Sequence, residues 1–133
     1  MRIEHRDGLL FTSIKITYNG NSKIINDVVI DTGAATSIIA YEAVAEMGIH
    51  VEAGDRIMEY CSVDGKKYNG FIKKLNEIKI GSQSINDIEI DFGTIDNSGQ
   101  IKGLIGLDIL TKVGAVIDLK DFNFIVNWFK YII

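Results

Sequence analysis

Two stretches rich in Ile, Val, Thr and Phe, Leu9 to Tyr18 and Ser22 to Ile30, flank the dipeptide Asn19-Gly20. Both of its positions tolerate positive φ, which makes Asn-Gly the commonest signal for a two-residue hairpin turn. Two antiparallel strands are predicted. Ser37 to Ile39 reads as a further short strand. Tyr41 to Met47 changes character: Ala, Glu and Met favour a helix, and Gly48 is placed to stop it. Arg56 to Ser62 and Lys67 to Leu75 alternate as strands around a second hairpin signal, Asp64-Gly65. Lys73 to Ile80, Gly81-Ser82 and Ile85 to Phe92 form a third hairpin pattern.

Asn97-Ser98-Gly99 is a loop, and Gly103 to Leu107 is a compact apolar segment bounded by glycine. Leu107 to Val113 reads as a short helix with Asp108 near its start, where a negative charge suits the helix dipole. Gly114 ends it. Ala115 to Leu119 and Asn123 to Tyr131 are the last predicted strands, turning at Lys120-Asp121. The reading is one mostly-β domain over residues 1–133, with two short helices, no linker and no long repeat.

The second strand ends in Val28-Val29-Ile30 and runs directly into Asp31-Thr32-Gly33, followed by Ala34. A buried strand that breaks at an acid, a hydroxyl and a glycine presents a carboxylate on a rigid floor. The triplet occurs once. One carboxylate is half of what carboxylate-pair hydrolysis of peptides needs, so if this chain is such an enzyme the other half is expected from a second copy of the chain.

Composition narrows the alternatives. The net charge of -4 supplies no basic face for nucleic acid and no polybasic membrane patch. Cys61 is the single cysteine and His5 and His50 the only histidines, which leaves little for a disulfide, a metal cluster or a Ser-His relay. Met1 to Arg6 has no apolar stretch behind its charges and does not read as a signal peptide, and no apolar run is long enough to span a bilayer. The expected setting is the reducing cytoplasm, with no nucleic-acid or membrane partner.

Downstream of the acid stands Gly103-Leu104-Ile105-Gly106-Leu107-Asp108. The order is acid triplet, Asp64-Gly65 hairpin, then an apolar pair and Gly leading into a short helix. This order resembles the retroviral-type (retropepsin-like) aspartic proteases, over roughly Ile25 to Val126. Gly103 to Leu110 is especially similar to cellular members, including the eukaryotic DNA-damage-inducible proteins, which carry a similar Gly-Leu-Asp-x-Leu run.

The resemblance implies an all-β, closed β-barrel-like subunit with one or two short helices, working as a two-fold homodimer on a peptide or protein substrate. It implies Asp31 as the catalytic acid, with no metal or organic cofactor. It assigns the Thr32 hydroxyl to the partner's backbone, Gly33 to close backbone approach, and Ala34 to a small floor beside the acid. Thr36 would donate a buried hydrogen bond to the loop, and Gly106 would pass under it where a side chain would clash. Substrate contacts are expected from Ala35, Leu104 and Ile105, and from the tip of a flap, Val63, Asp64, Gly65 and Lys66. Trp128, Phe129, Tyr131 and Ile132 end the chain too apolar to leave in water, and are expected in the dimer interface.

Two positions depart from the viral pattern. Where many of those enzymes carry an Asp and an Arg that pair, this chain has Ala35 and Leu107. Neither charge is stranded, but the substrate contact made by that Asp has no counterpart. A catalytically silent peptide-binding or dimerisation module is therefore a second reading. A processing enzyme with one dedicated partner and a monomeric β-domain with a chance triplet are others. Asp91, Asp96, Asp108 and Asp118 read as surface, loop or helix-start acids, since none heads a second triplet.

Overall fold

A computed structural model describes residues 1–61, 65, 67–95 and 98–126. Ten strands and one α-helix are described. β1 (Glu4–Arg6), β2 (Leu9–Tyr18) and β3 (Asn21–Ile30) form an antiparallel meander. The β2–β3 turn places Asn19 at φ 48° and Gly20 at φ 84°, the left-handed pair that a tight hairpin demands. β4 (Ile38–Ala40) is followed by β5 (Ile57–Cys61), β6 (Lys67–Ile80) and β7 (Gln83–Gly93). β8 (Gly103–Ile105) leads into α1 (Leu107–Lys112), and β9 (Val116–Asp118) pairs with β10 (Asn123–Ile125) as a small separate ribbon.

The main sheet runs β1-β2-β3-β8-β4-β7-β6-β5, and β2 also pairs with β6. Hydrogen-bonded neighbours can therefore be followed from β2 through β3, β8, β4, β7 and β6 back to β2. Alternating side chains of these strands fill one core: Ile14, Ile16, Leu75, Ile78, Ile90, Phe92 and Ile105 are all buried. No described helix is long and apolar enough to cross a membrane.

Two features differ from the sequence reading. Tyr41 to Met47 is two 3₁₀ turns, Tyr41–Ala43 and Ala45–Met47, rather than one helix. The segment is too short to repay helix nucleation, Ala40 offers no side-chain cap, and the β-branched Val44 is wholly buried between the turns. Gly48 ends them as expected, at φ 82°. The segments around Leu75 are one continuous strand, β6, which pairs with β5 at its start, β7 along most of its length and β2 near its end. The N-terminal segment pairs within its own chain. Ile3 N–H donates to Phe122 O at 2.8 Å, and Phe124 N–H to Met1 O at 2.7 Å.

Candidate active site

β3 and β8 run parallel, with Val28 opposite Gly103 and Ile30 opposite Ile105. The pairing continues one step past the strand, where Asp31 N–H donates to Ile105 O at 2.9 Å. The acid is thus fixed by its backbone to the centre of the sheet. Gly33 N–H donates to Asp31 Oδ1 at 2.9 Å, and Ala34 N–H to Asp31 O at 3.2 Å. The triplet folds back on its own carboxylate. Asp31 is half-buried, while Thr32, Gly33, Ala35 and Thr36 are exposed and Ala34 is half-buried.

The start of α1 braces this loop. Leu107 N–H donates to Ala34 O at 2.8 Å and Asp108 N–H to Ala35 O at 3.2 Å. The first N–H groups of a helix have no partner within it; here the acid loop supplies two. Gly106 sits at the crossing. A Cβ there would lie 2.6 Å from Ala34 O and 2.9 Å from Thr36 O, both backbone atoms, so only glycine fits.

Beneath the loop lies a polar link that the sequence reading did not contain. Ser37, almost fully buried, donates from its hydroxyl to Asp108 Oδ1 at 2.6 Å and from its N–H to Asp108 Oδ2 at 3.0 Å. The Ser37 oxygen accepts from Gly106 N–H at 2.9 Å, and Ile109 N–H donates to Asp108 Oδ1 at 2.8 Å. The buried hydroxyl expected at Thr36 is therefore that of Ser37, one residue on. The loop turns between them, leaving Thr36 at the surface. Asp108 is a clamp for the loop as well as a helix-start acid.

Ile105 was expected to touch substrate, but it has no exposed surface and packs in the core. Alternation along β8 sends its neighbour Leu104 to the other face, where it is half-buried between Val29 and Ile38. Gly65 is exposed at φ 83°, as a turn glycine requires. Val63, Asp64 and Lys66 at the expected flap tip, and Trp128, Phe129, Tyr131 and Ile132 at the expected interface, lie outside the described residues.

Two further charged groups are buried on adjacent strands of the sheet. Asp91 on β7 was read as a surface acid, yet only 7% of it is exposed, and its Oδ1 has no hydrogen-bond partner among the described residues. Burial pushes its carboxyl up to about 6, against the opposing pull of the Phe92 N–H. Lys73 on β6 is buried as well, bonded to Glu52 Oε1 at 2.6 Å and Asp55 Oδ2 at 2.8 Å. Burial works against the ammonium, but the two carboxylates outweigh it and raise the lysine, while Lys73 holds Asp55 below the usual carboxylate range. This ion pair ties the segment before β5 to β6. No cluster of three or more His, Cys, Asp or Glu able to hold a metal occurs among the described residues.

The sequence matches the family model described as aspartyl protease over residues 14–109, most of the chain. The chain belongs to the aspartyl protease family. Solved structures of the same fold include a retropepsin-like aspartic protease from Rickettsia conorii, 22% identical, with a TM-score of 0.64, covering 90% of this chain and 83% of that one. The protease of EIAV, solved with the inhibitor HBY-793, is 21% identical with a TM-score of 0.61, over 87% of this chain and 98% of that one. The retroviral protease-like domain of Ddi1 from Leishmania major is 18% identical with a TM-score of 0.59, over 90% and 88%. At these identities the likeness establishes the retropepsin-like fold of this aspartyl protease family member. No curated protein matches the chain.

Proposed function

We propose that this chain is an aspartic endopeptidase whose dyad is formed by Asp31 from each of two copies in a homodimer. The observation that carries the reading is the anchoring of Asp31. Its amide is fixed to β8, its carboxylate accepts from Gly33, and α1 and Ser37 brace the loop around it. Preorganisation of this kind is what water activation by a carboxylate requires.

One chain holds one such acid. Two carboxylates meeting on a two-fold axis cannot both ionise, because like charges a few ångströms apart repel, so the pair shares a proton. The ionised member takes a proton from the attacking water. The protonated member polarises the scissile carbonyl and later protonates the leaving nitrogen. Exposure of Thr32, Gly33 and Ala35 around the acid, and of Leu107 at the head of α1, leaves these groups available to a second copy and to substrate. An extended peptide would lie across this floor as an added strand, beneath the hairpin of β5 and β6. The cytoplasm, which the single Cys61 suits, is the proposed compartment.

Ala35 supports one rival: a peptide-binding or dimerisation module that retains the fold without turnover. Its methyl group offers substrate no hydrogen bond. Mass in solution, measured with and without a pepstatin-type inhibitor, separates the two. The protease reading expects a dimer that the inhibitor stabilises in wild type and not in Asp31→Asn, together with peptide cleavage abolished by that substitution. A dimer indifferent to inhibitor supports the rival. A monomer under every condition would sink the protease reading, because the two carboxylates would never meet.

A further inference from the structure

A cavity of about 220 Å³ opens beside the Asp31 loop. Thr36, Ser37 and Asp108 form one wall, Met58 and Ile72 of the β5–β6 hairpin form another, and Asp91 of β7 lines it from the side. Larger hollows of about 470 and 480 Å³ surround Phe11 and Asp27, and none of residues 31–37 lines them.

The lining of the smaller cavity is acidic, and its charges are not equally committed. Arg56 and Glu89, both more than half exposed, pair with each other. Asp108 spends its oxygens on Ser37 and on the Ile109 amide. Asp91 remains: over nine-tenths buried, it has an Oδ1 that accepts nothing among the described residues. A carboxylate oxygen left without a donor in such a place is costly, and a donor brought by a ligand would relieve it. Met58 and Ile72 supply apolar surface of the sort that the methylene stem of a long cationic side chain covers while its charged head reaches an acid.

We propose that this cavity receives the ammonium or guanidinium end of a Lys or Arg side chain from the bound peptide, with Asp91 as its acceptor. The peptide setting rests on the protease reading above; the affinity of the cavity for the cation does not. Two lysines of the molecule already show the chemistry available to such a head group: the buried Lys73 bonds Glu52 and Asp55, and Lys23 bonds Glu46. Among the described residues that line the Asp91 cavity the basic side chain is Arg56, which Glu89 holds.

The test uses wild type and the near-isosteric Asp91→Asn, on a positional-scanning peptide library. Wild type is expected to prefer Lys or Arg over Met and Gln at one position by about tenfold or more, the effect of one charge-assisted hydrogen bond, and Asp91→Asn is expected to lose that preference. Cleavage without such a preference, or a preference unchanged in Asp91→Asn, overturns the assignment and leaves the protease reading standing. A library left wholly uncut counts against the protease reading alone. The cavity is then read directly, by titrating butylammonium and butylguanidinium into isotope-labelled protein. Amide shifts at Ser37, Asp91 and Asp108 that exceed those caused by butanol, and that vanish in Asp91→Asn, support the pocket. Shifts no greater than those from butanol overturn it.

Discussion

Ser37 and Asp108 are joined twice across 71 positions of sequence, hydroxyl to one carboxylate oxygen and amide to the other. Through this pair the end of the acid loop and the first turn of α1 become one unit. Asp108→Ala orphans the Ser37 hydroxyl and amide, and is expected to cost about 2–4 kcal/mol of stability. Asp108→Asn keeps one acceptor and should cost less. Urea unfolding of both variants checks the order, and cleavage rates should fall in the same order because the loop carries Asp31.

Gly106→Ala is expected to be worse than its size suggests. The added methyl meets two carbonyl oxygens of the loop, neither of which is the end of a flexible side chain. The loop must move, at an expected cost of about 1–3 kcal/mol, as for overpacked cores. Peptide cleavage should fall further than the loss of folded protein accounts for. Wild-type activity in a folded Gly106→Ala variant would contradict the close crossing.

Asp91 makes stability depend on pH in an unusual direction for a carboxylate. Its folded value is about 6, raised from the ordinary 3.8. Between those values the folded chain keeps a proton that the unfolded chain has released. The destabilisation is therefore full above about 6 and disappears as the pH falls below the unfolded value. Asp91→Asn is expected to stabilise the protein by up to about 3 kcal/mol near pH 8, with little difference near pH 4. Thermal melts across that range measure it. A stabilising substitution at a residue placed to bind is the usual form of the trade between stability and function.

Lys73 and Asp55 predict the opposite dependence. Asp55 is held low in the fold, so its contribution is present above its unfolded value and is lost as the pH falls through the folded one. Lys73 is raised, so its contribution holds below its unfolded value and is lost only as strongly alkaline pH passes the folded one. Lys73→Ala should lower the Tm well below that of Lys74→Ala, since Lys74 is exposed. Asp55→Asn should flatten the acid limb of the stability curve.

What the sequence disclosed was local. Asn19-Gly20 carries its own turn geometry, and the apolar run before Asp31 announces a buried strand wherever it lies. Asp91 escaped because Ile88, Glu89 and Ile90 alternate in and out, and the same rhythm sends Asp91 outward with Glu89. From Ile90 onward β7 is buried on both faces, and β4 joins it at Asp91. No local pattern reports the arrival of a strand from fifty residues away. Ser37 and Asp108 escaped for the same reason: each is an ordinary polar residue until the antiparallel pairing of β4 with β8 brings them together. The segment Tyr41 to Met47 failed differently, because composition favours a helix there while length and capping do not.

The continuity of β6 has a mechanical consequence. Where Gly70 faces Gly93, β7 ends, and β6 goes on toward Lys67 with β5 alone beside it among the described residues. The outer hairpin is therefore a lever whose inner arm is built into the body of the sheet. Its fulcrum is a pair of residues without side chains, packed so closely that a methyl on Gly93 would meet the backbone of Asn69 and Gly70 at 3.2 Å. A load on the outer end is carried past that point into the strand that bears Lys73 and, further along, pairs with β2, so the outer hairpin and the wall of the core answer to the same push.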